Sequence, residues 1–170
     1  YILHGTKGTA TSRFVNFSSF AIYTLGSLVA IKHGLKIFFS IHRLSPSLIH
    51  DKVFRLSELS SFFTIKDYST NSFPGDHALV LIMWLGFMAI CCSRKHLIVS
   101  VFIAIIAALP RLISGAHWMS DNVVGGGFIA TILLTWYFAT PLRYYTERLS
   151  TRICTPAADI IIPILQRVTP

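Results

Sequence analysis

Apolar residues in this chain fall in long blocks rather than in strict alternation. One block runs from about Phe14 to Ile31 and is softened by Asn16, Ser18, Ser19 and Thr24. A second runs from Ala78 to Cys92, a third from Leu97 to Leu112, and a fourth from Val123 to Thr140. About 18–20 apolar residues match a hydrocarbon core of roughly 30 Å. The pattern therefore predicts four membrane-spanning helices, the second a little short. The blocks leave too few polar faces to solvate four buried helices of a water-soluble domain. Residues 32–77 form the longest stretch between spans, and connections of that length carry function or structure of their own. Within it, Val53 to Leu59 has apolar residues near helical spacing, which predicts a short interfacial helix. Beyond Thr140 the chain turns basic, then apolar at Ile160–Ile162, with Pro156 and Pro163 as interruptions. This divides the chain into a membrane unit, 1–142, and an interfacial or partly disordered tail, 143–170.

Composition agrees with a bilayer setting. The 170 residues are 53% hydrophobic and 13% charged, against about 25% charged in soluble domains. The net charge is +8, and in a membrane protein Lys and Arg concentrate on the cytoplasmic side. Lys7 and Arg13 precede the first block, Arg94 and Lys95 lie in the tight turn between the second and third, and Arg143, Arg148 and Arg152 follow the fourth. These regions fall on one side, taken as cytoplasmic. Further bases on the opposite side, among them Lys32, Lys36, Arg43 and Arg111, read as a surface for anions. Nucleic acid is a poor partner for such a chain. Cys91, Cys92 and Cys154 have no metal-ligand spacing. The start at Tyr1, without a signal-peptide pattern, reads as a fragment that lacks upstream helices.

Three polar segments meet on the side opposite the cytoplasmic bases. The third of them holds Arg111, His117 and Asp121. His117 and Asp121 are four apart and share a face on a helical turn. A carboxylate on one imidazole nitrogen fixes the tautomer and frees the other nitrogen, the nucleophile-plus-orienter arrangement of covalent catalysis. Arg111 offers a planar fork for phosphate oxygens. The middle segment, Ser72 to His77, puts His77 at the start of a helix, where amides and dipole favour an anion. Gly75 allows close backbone approach, Asp76 is a good N-cap, and His77 is a candidate general acid. The first segment supplies Lys36 and Arg43, seven apart. With Arg111 these cations neutralise the charge that spreads over phosphoryl oxygens, so the chemistry needs no metal or cofactor. No carboxylate cluster typical of magnesium is present. Gly125–Gly127 lies inside an apolar block and reads as close helix packing rather than a phosphate loop.

These segments resemble the type 2 phosphatidic acid phosphatase superfamily, whose core is shared with vanadium haloperoxidases. Its pattern K-x6-R-P, P-S-G-H and S-R-x5-H-x3-D is met by Lys36 to Arg43, Pro74 to His77, and Arg111 through His117 to Asp121. Leu44 replaces the proline, Gly75 and Asp76 replace the Ser-Gly pair, and Pro110 replaces the serine. The runs Arg43–Pro46, Arg55–Leu59, Ser72–His77 and Pro110–Trp118 resemble the bacterial lipid A 1-diphosphate synthases in particular.

The resemblance implies an all-α polytopic transmembrane bundle, a six-span core of which four spans are present. It implies a nucleophilic His117 oriented by Asp121, His77 protonating the leaving group, and phosphate held by Arg111, Arg43 and Lys36 with Gly75 and Asp76. It further implies phosphoryl transfer from undecaprenyl diphosphate to lipid A 1-phosphate at the periplasmic face of a bacterial inner membrane. The motifs serve equally for a lipid diphosphate phosphatase, and a protein that only binds lipid phosphates is a third reading.

Overall fold

The computed structural model describes residues 10–38, 43–50 and 68–168. The expected helix at Val53–Leu59 lies outside them. Among the described residues the protein is all-helical. Helix α1 spans Ala10–Phe38, a short α2 spans Pro46–Ile49, α3 spans Asp76–Cys91 and α4 spans Arg94–Ile113. A π-helical stretch, Asp121–Phe128, runs into α5, Ile129–Ala139, and α6 covers Leu142–Val168.

Among the described residues three helical segments are long and apolar enough to cross a bilayer: Ser12–Gly34, Arg94–Ile113 and Asp121–Ala139. At about 1.5 Å per residue, the 20 residues of α4 reach roughly 30 Å. The 16 residues of α3 fall short at about 24 Å, as its block length predicts. Outward-facing apolar side chains dominate α4, with Phe102 63% and Ile106 68% exposed. A patch of that kind is unfavourable in water and at home in lipid.

Helices α1, α3 and α5 gather around a core of Phe20, Leu79, Met83, Phe87, Ala130 and Tyr137. Phe20 stacks on Phe87 at 4.5 Å and meets Tyr137 edge-on at 5.2 Å. Close approach of α3 to the π-helical stretch depends on glycine. A β-carbon on Gly125 would lie 2.8 Å from the Phe73 ring and 2.9 Å from Pro74 Cβ. One on Gly126 would lie 2.9 Å from Ala78 Cβ and 3.0 Å from the Leu79 nitrogen. The glycine run is thus a packing device, as its apolar setting indicates.

The C-terminal segment departs from the expected tail. It forms one helix, α6, which continues through Pro156 and Pro163. Its first half docks on α1: Ser150 Oγ donates to the Val15 carbonyl at 3.0 Å, and Ser19 Oγ bonds Thr146 Oγ1 at 2.9 Å and Tyr137 Oη at 3.0 Å. These buried polar contacts tie the helix down where its sequence alone reads as interfacial.

Candidate active site

Arg43 and the two later polar segments converge at the end of the bundle where α1 finishes, α3 begins and α4 finishes. Backbone bonds stitch them together. The Ser72 amide donates to the Arg43 carbonyl at 2.7 Å, and the Ser47 amide donates to the Gly115 carbonyl at 3.1 Å. Ser45 Oγ accepts the Ser69 amide at 3.0 Å and bonds Ser47 Oγ at 3.0 Å. Gly115 closes α4 with φ of 67°, a conformation that glycine adopts without strain.

His117 is largely buried, 8% exposed. Its Nδ1 lies 2.8 Å from the Ser72 carbonyl oxygen. A carbonyl only accepts, so Nδ1 carries the proton and Nε2 keeps its lone pair. Nε2 faces a cavity of about 330 Å³, lined among others by Lys32, Asp76, His77, Arg111 and His117. The imidazole is therefore oriented as a nucleophile, but by a backbone carbonyl.

Asp121 does not orient it, contrary to what the four-residue spacing predicts. Its fully buried carboxylate takes Arg43 Nη1 at 2.6 Å through Oδ1 and the Trp118 amide at 3.0 Å through Oδ2. The chain turns between the two residues, with Trp118 and Asp121 facing each other across a tight loop, so no regular helical face unites His117 and Asp121. Asp121 anchors Arg43 instead. Trp118 completes the clamp: its indole N–H donates to the Leu44 carbonyl at 2.9 Å, and the Arg43 guanidinium lies 5.4 Å above its ring. Trp118 thus supports Arg43.

Opposite His117, with ring centroids 6.4 Å apart, stands His77. Its Nδ1 bonds Asp76 Oδ1 at 2.7 Å, and its Nε2 lies 3.1 Å from Arg111 Nη2. Asp76 is not the N-cap. Gly75 holds that position, and Asp76 is the first residue of α3. Its other oxygen pairs with Lys32 Nζ at 2.7 Å. Hydrogen bonding from His77, joined by Lys32, holds the Asp76 carboxyl well below the usual carboxylate range, against burial that pushes the other way. An ionised carboxylate cannot donate to phosphate, so Asp76 acts on His77 and Lys32 rather than on substrate oxygens. Gly75 likewise has a packing role: its amide donates to the Asp121 carbonyl at 3.1 Å, and a β-carbon there would collide with the Asn122 side chain.

Lys36 lies in the last turns of α1, and its side chain is outside the described residues. Lys32, one turn earlier, is the α1 cation that lines the cavity. Neither Lys32 nor the Ser72 carbonyl stands out in the sequence motifs. Donor atoms of Asp76, His77 and His117 come within 4.8 Å of one another. The flanking Arg111 and Lys32 make the place unfavourable for a resident cation and favourable for an anion.

A family model, the PAP2 superfamily, matches residues 18–145. The lipid A 1-diphosphate synthase of Escherichia coli (strain K12) is 38% identical over 102 residues, covering 60% of this chain and 43% of that protein. The chain therefore spans less than half the length of this relative. No solved structure matches.

Proposed function

The chain belongs to the PAP2 superfamily, and from that premise we propose that it is a multi-pass membrane phosphotransferase which carries a phosphoryl group on His117. The observation that carries the reading is the His117 imidazole: Nδ1–H is fixed on the Ser72 carbonyl at 2.8 Å, and the Nε2 lone pair faces a cavity shared with Arg111, His77 and Lys32. In the first half-reaction Nε2 attacks phosphorus, the P–O bond to the leaving group breaks, and its electron pair departs with that oxygen. Arg111 and Lys32 line the cavity and neutralise the equatorial oxygens, and Arg43 is held by Asp121. In the second half-reaction an acceptor oxygen attacks the phosphohistidine and the N–P electron pair returns to Nε2. Groups of the chain supply the charge stabilisation, so neither step calls for a metal ion.

The donor we propose is undecaprenyl diphosphate and the acceptor lipid A 1-phosphate. Similarity to the lipid A 1-diphosphate synthase supports this pair. In the same reading the protein sits in a bacterial inner membrane with the cavity on the periplasmic face, and Arg94, Lys95, Arg143 and Arg148 lie at the opposite, cytoplasmic end. The test uses full-length protein in native membranes with terminally labelled undecaprenyl diphosphate, lipid A and EDTA. The expected product is a labelled lipid A diphosphate, absent with His117→Ala. Label found only as free phosphate would make the protein a carrier-lipid phosphatase. No His117-dependent product would refute catalysis with this donor.

A further inference from the structure

The end of the bundle opposite the His117 cavity carries a second recess, of about 310 Å³, lined by Tyr145, Arg148, Leu149 and Arg152 of α6. Their spacing of three, four and seven residues puts them on one face of the helix, and all four are exposed. Ile153, 60% exposed, extends that face. The other face is the docked one, where Thr146 bonds Ser19 Oγ and Ser150 bonds the Val15 carbonyl of α1. Neither Arg148 nor Arg152 forms an ion pair among the described residues. The neighbouring carboxylate, Glu147, is held by Arg143 Nε at 2.7 Å. Two guanidiniums one turn apart therefore stand without a countercharge, beside a phenol and two aliphatic side chains.

Their height in the bundle says what fits there. Lys32, paired with Asp76 at 2.7 Å, marks the level of the cavity. Val15 precedes Lys32 by 17 residues of α1, which is about 26 Å along the helix axis. The pairs Ser19–Thr146 and Val15–Ser150 set α1 and α6 antiparallel in one register. Arg148 and Arg152, two residues either side of Ser150, thus lie within about 3 Å of the Val15 level. A hydrocarbon core is roughly 30 Å thick. With the cavity at one polar surface of the bilayer, the two guanidiniums reach the headgroup layer of the other leaflet. Tyr144 and Tyr145 lie just on the hydrocarbon side of them, where interfacial aromatics collect. We infer that this face of α6 binds the phosphate of an anionic glycerophospholipid in the leaflet opposite the cavity. Arg148 and Arg152 hold the phosphodiester oxygens through their planar forks, the Tyr145 hydroxyl donates to them, and Leu149 and Ile153 lie against the glycerol and upper acyl carbons. Basic residues beside a span attract anionic lipid in this way. A zwitterionic headgroup brings its own cation to two guanidiniums that already lack a countercharge. An acidic polypeptide would match the charge and leave the apolar part of the face uncovered. The inference depends on the helices lying in a bilayer and not on the chemistry at His117. A lipid held here braces α6 and, through Ser19 and Val15, the helix whose far end carries Lys32.

The experiment reconstitutes full-length protein in nanodiscs of equal parts phosphatidylcholine and phosphatidylglycerol, then counts by native mass spectrometry the lipids that stay bound. Wild type should retain phosphatidylglycerol over phosphatidylcholine by at least about tenfold. In Arg148→Gln/Arg152→Gln the excess should fall to about twofold or less. Arg94→Gln/Lys95→Gln removes the same charge from the exposed start of α4 at the same end of the bundle. It should keep the excess within about twofold of wild type, as scattered surface charges contribute little. Equal retention of the two lipids by wild type, a result that needs no variant to fold, would overturn the inference. A loss as large in the Arg94/Lys95 pair as in the Arg148/Arg152 pair would also overturn it, by assigning the effect to net charge. Poly-glutamate binding to wild type in phosphatidylcholine nanodiscs, with no preference among phospholipids, would assign the face to an acidic protein segment and overturn it as well.

Discussion

Arg43 and Asp121 meet across 78 residues of chain, Nη1 to Oδ1 at 2.6 Å, with the carboxylate fully buried and the guanidinium partly in solvent. Removing one member of such a pair leaves a buried charge uncompensated, at a cost of about 3–5 kcal/mol for fully buried pairs. The exposure of Arg43 favours the low end. Arg43→Ala should lower stability by about 2–3 kcal/mol, and adding Asp121→Asn should recover part of the loss. Thermal unfolding in detergent of both single variants and the double variant measures the coupling. Strict additivity would mean that the pair does not hold the loop.

The His117–Ser72 bond and the Arg43–Asp121 pair separate two roles that motif spacing merges. Asp121→Asn should leave the imidazole on the Ser72 carbonyl, because that contact involves no Asp121 atom. Its loss of kcat/KM should therefore be about 10²-fold or less, against about 10⁴–10⁶-fold for His117→Ala, the range seen when a nucleophile is removed. Equal losses in the two variants would restore Asp121 as the orienter of His117.

Arg111 lines the cavity and lies 3.1 Å from His77 Nε2. Arg111→Lys keeps a charge but loses the planar fork, and a lysine ammonium reaches the two targets less well. The expected loss in kcat/KM is about 10²-fold, with Arg111→Ala worse. Steady-state kinetics on the diphosphate donor separate the two.

Part of this site is legible in the sequence because its side chains sit in short, spaced motifs: His77, Arg111 and His117 line one cavity, whereas Asp121 lies on Arg43 rather than on His117. What was not legible is of two physical kinds. The acceptor on His117 is a backbone carbonyl, and every residue has one, so Ser72 carries no signature. The partner of Asp76 is Lys32, 44 positions away on another helix. Only the antiparallel packing of α1 and α3 brings the two together. The helical continuation of α6 belongs to the same kind, since the contacts of Ser19 and Val15 with Thr146 and Ser150 lie more than 120 residues apart.

Asp76 also ties stability to pH. Its carboxyl is depressed in the folded protein, so its contribution is present above the ordinary unfolded value of about 3.9. That contribution is lost as pH falls through this value toward the folded one. Unfolding temperatures measured from pH 6 to pH 3 should fall more steeply for wild type than for Asp76→Asn. Parallel slopes would mean that the Lys32–Asp76–His77 chain does not persist in the membrane protein.

Gly125 packs where a β-carbon would meet the Phe73 ring and the Pro74 backbone. Gly125→Val should push the 72–77 segment away from the π-helical stretch, at about 1–3 kcal/mol for overpacking, and displace the Ser72 carbonyl from His117. Stability and activity should fall together. A folded, fully active variant would contradict the packing role.

The central claim is a phosphoryl group carried on His117, and trapping it is the most direct test. Full-length protein in native membranes is mixed with terminally labelled undecaprenyl diphosphate and EDTA for a few seconds, then denatured in alkali and run on a gel. A phosphohistidine survives alkali and is lost in mild acid. Label on the protein that is acid-labile, absent in His117→Ala and chased off by lipid A is the predicted result. Turnover of the donor without any labelled protein, or label that persists in His117→Ala, would contradict it.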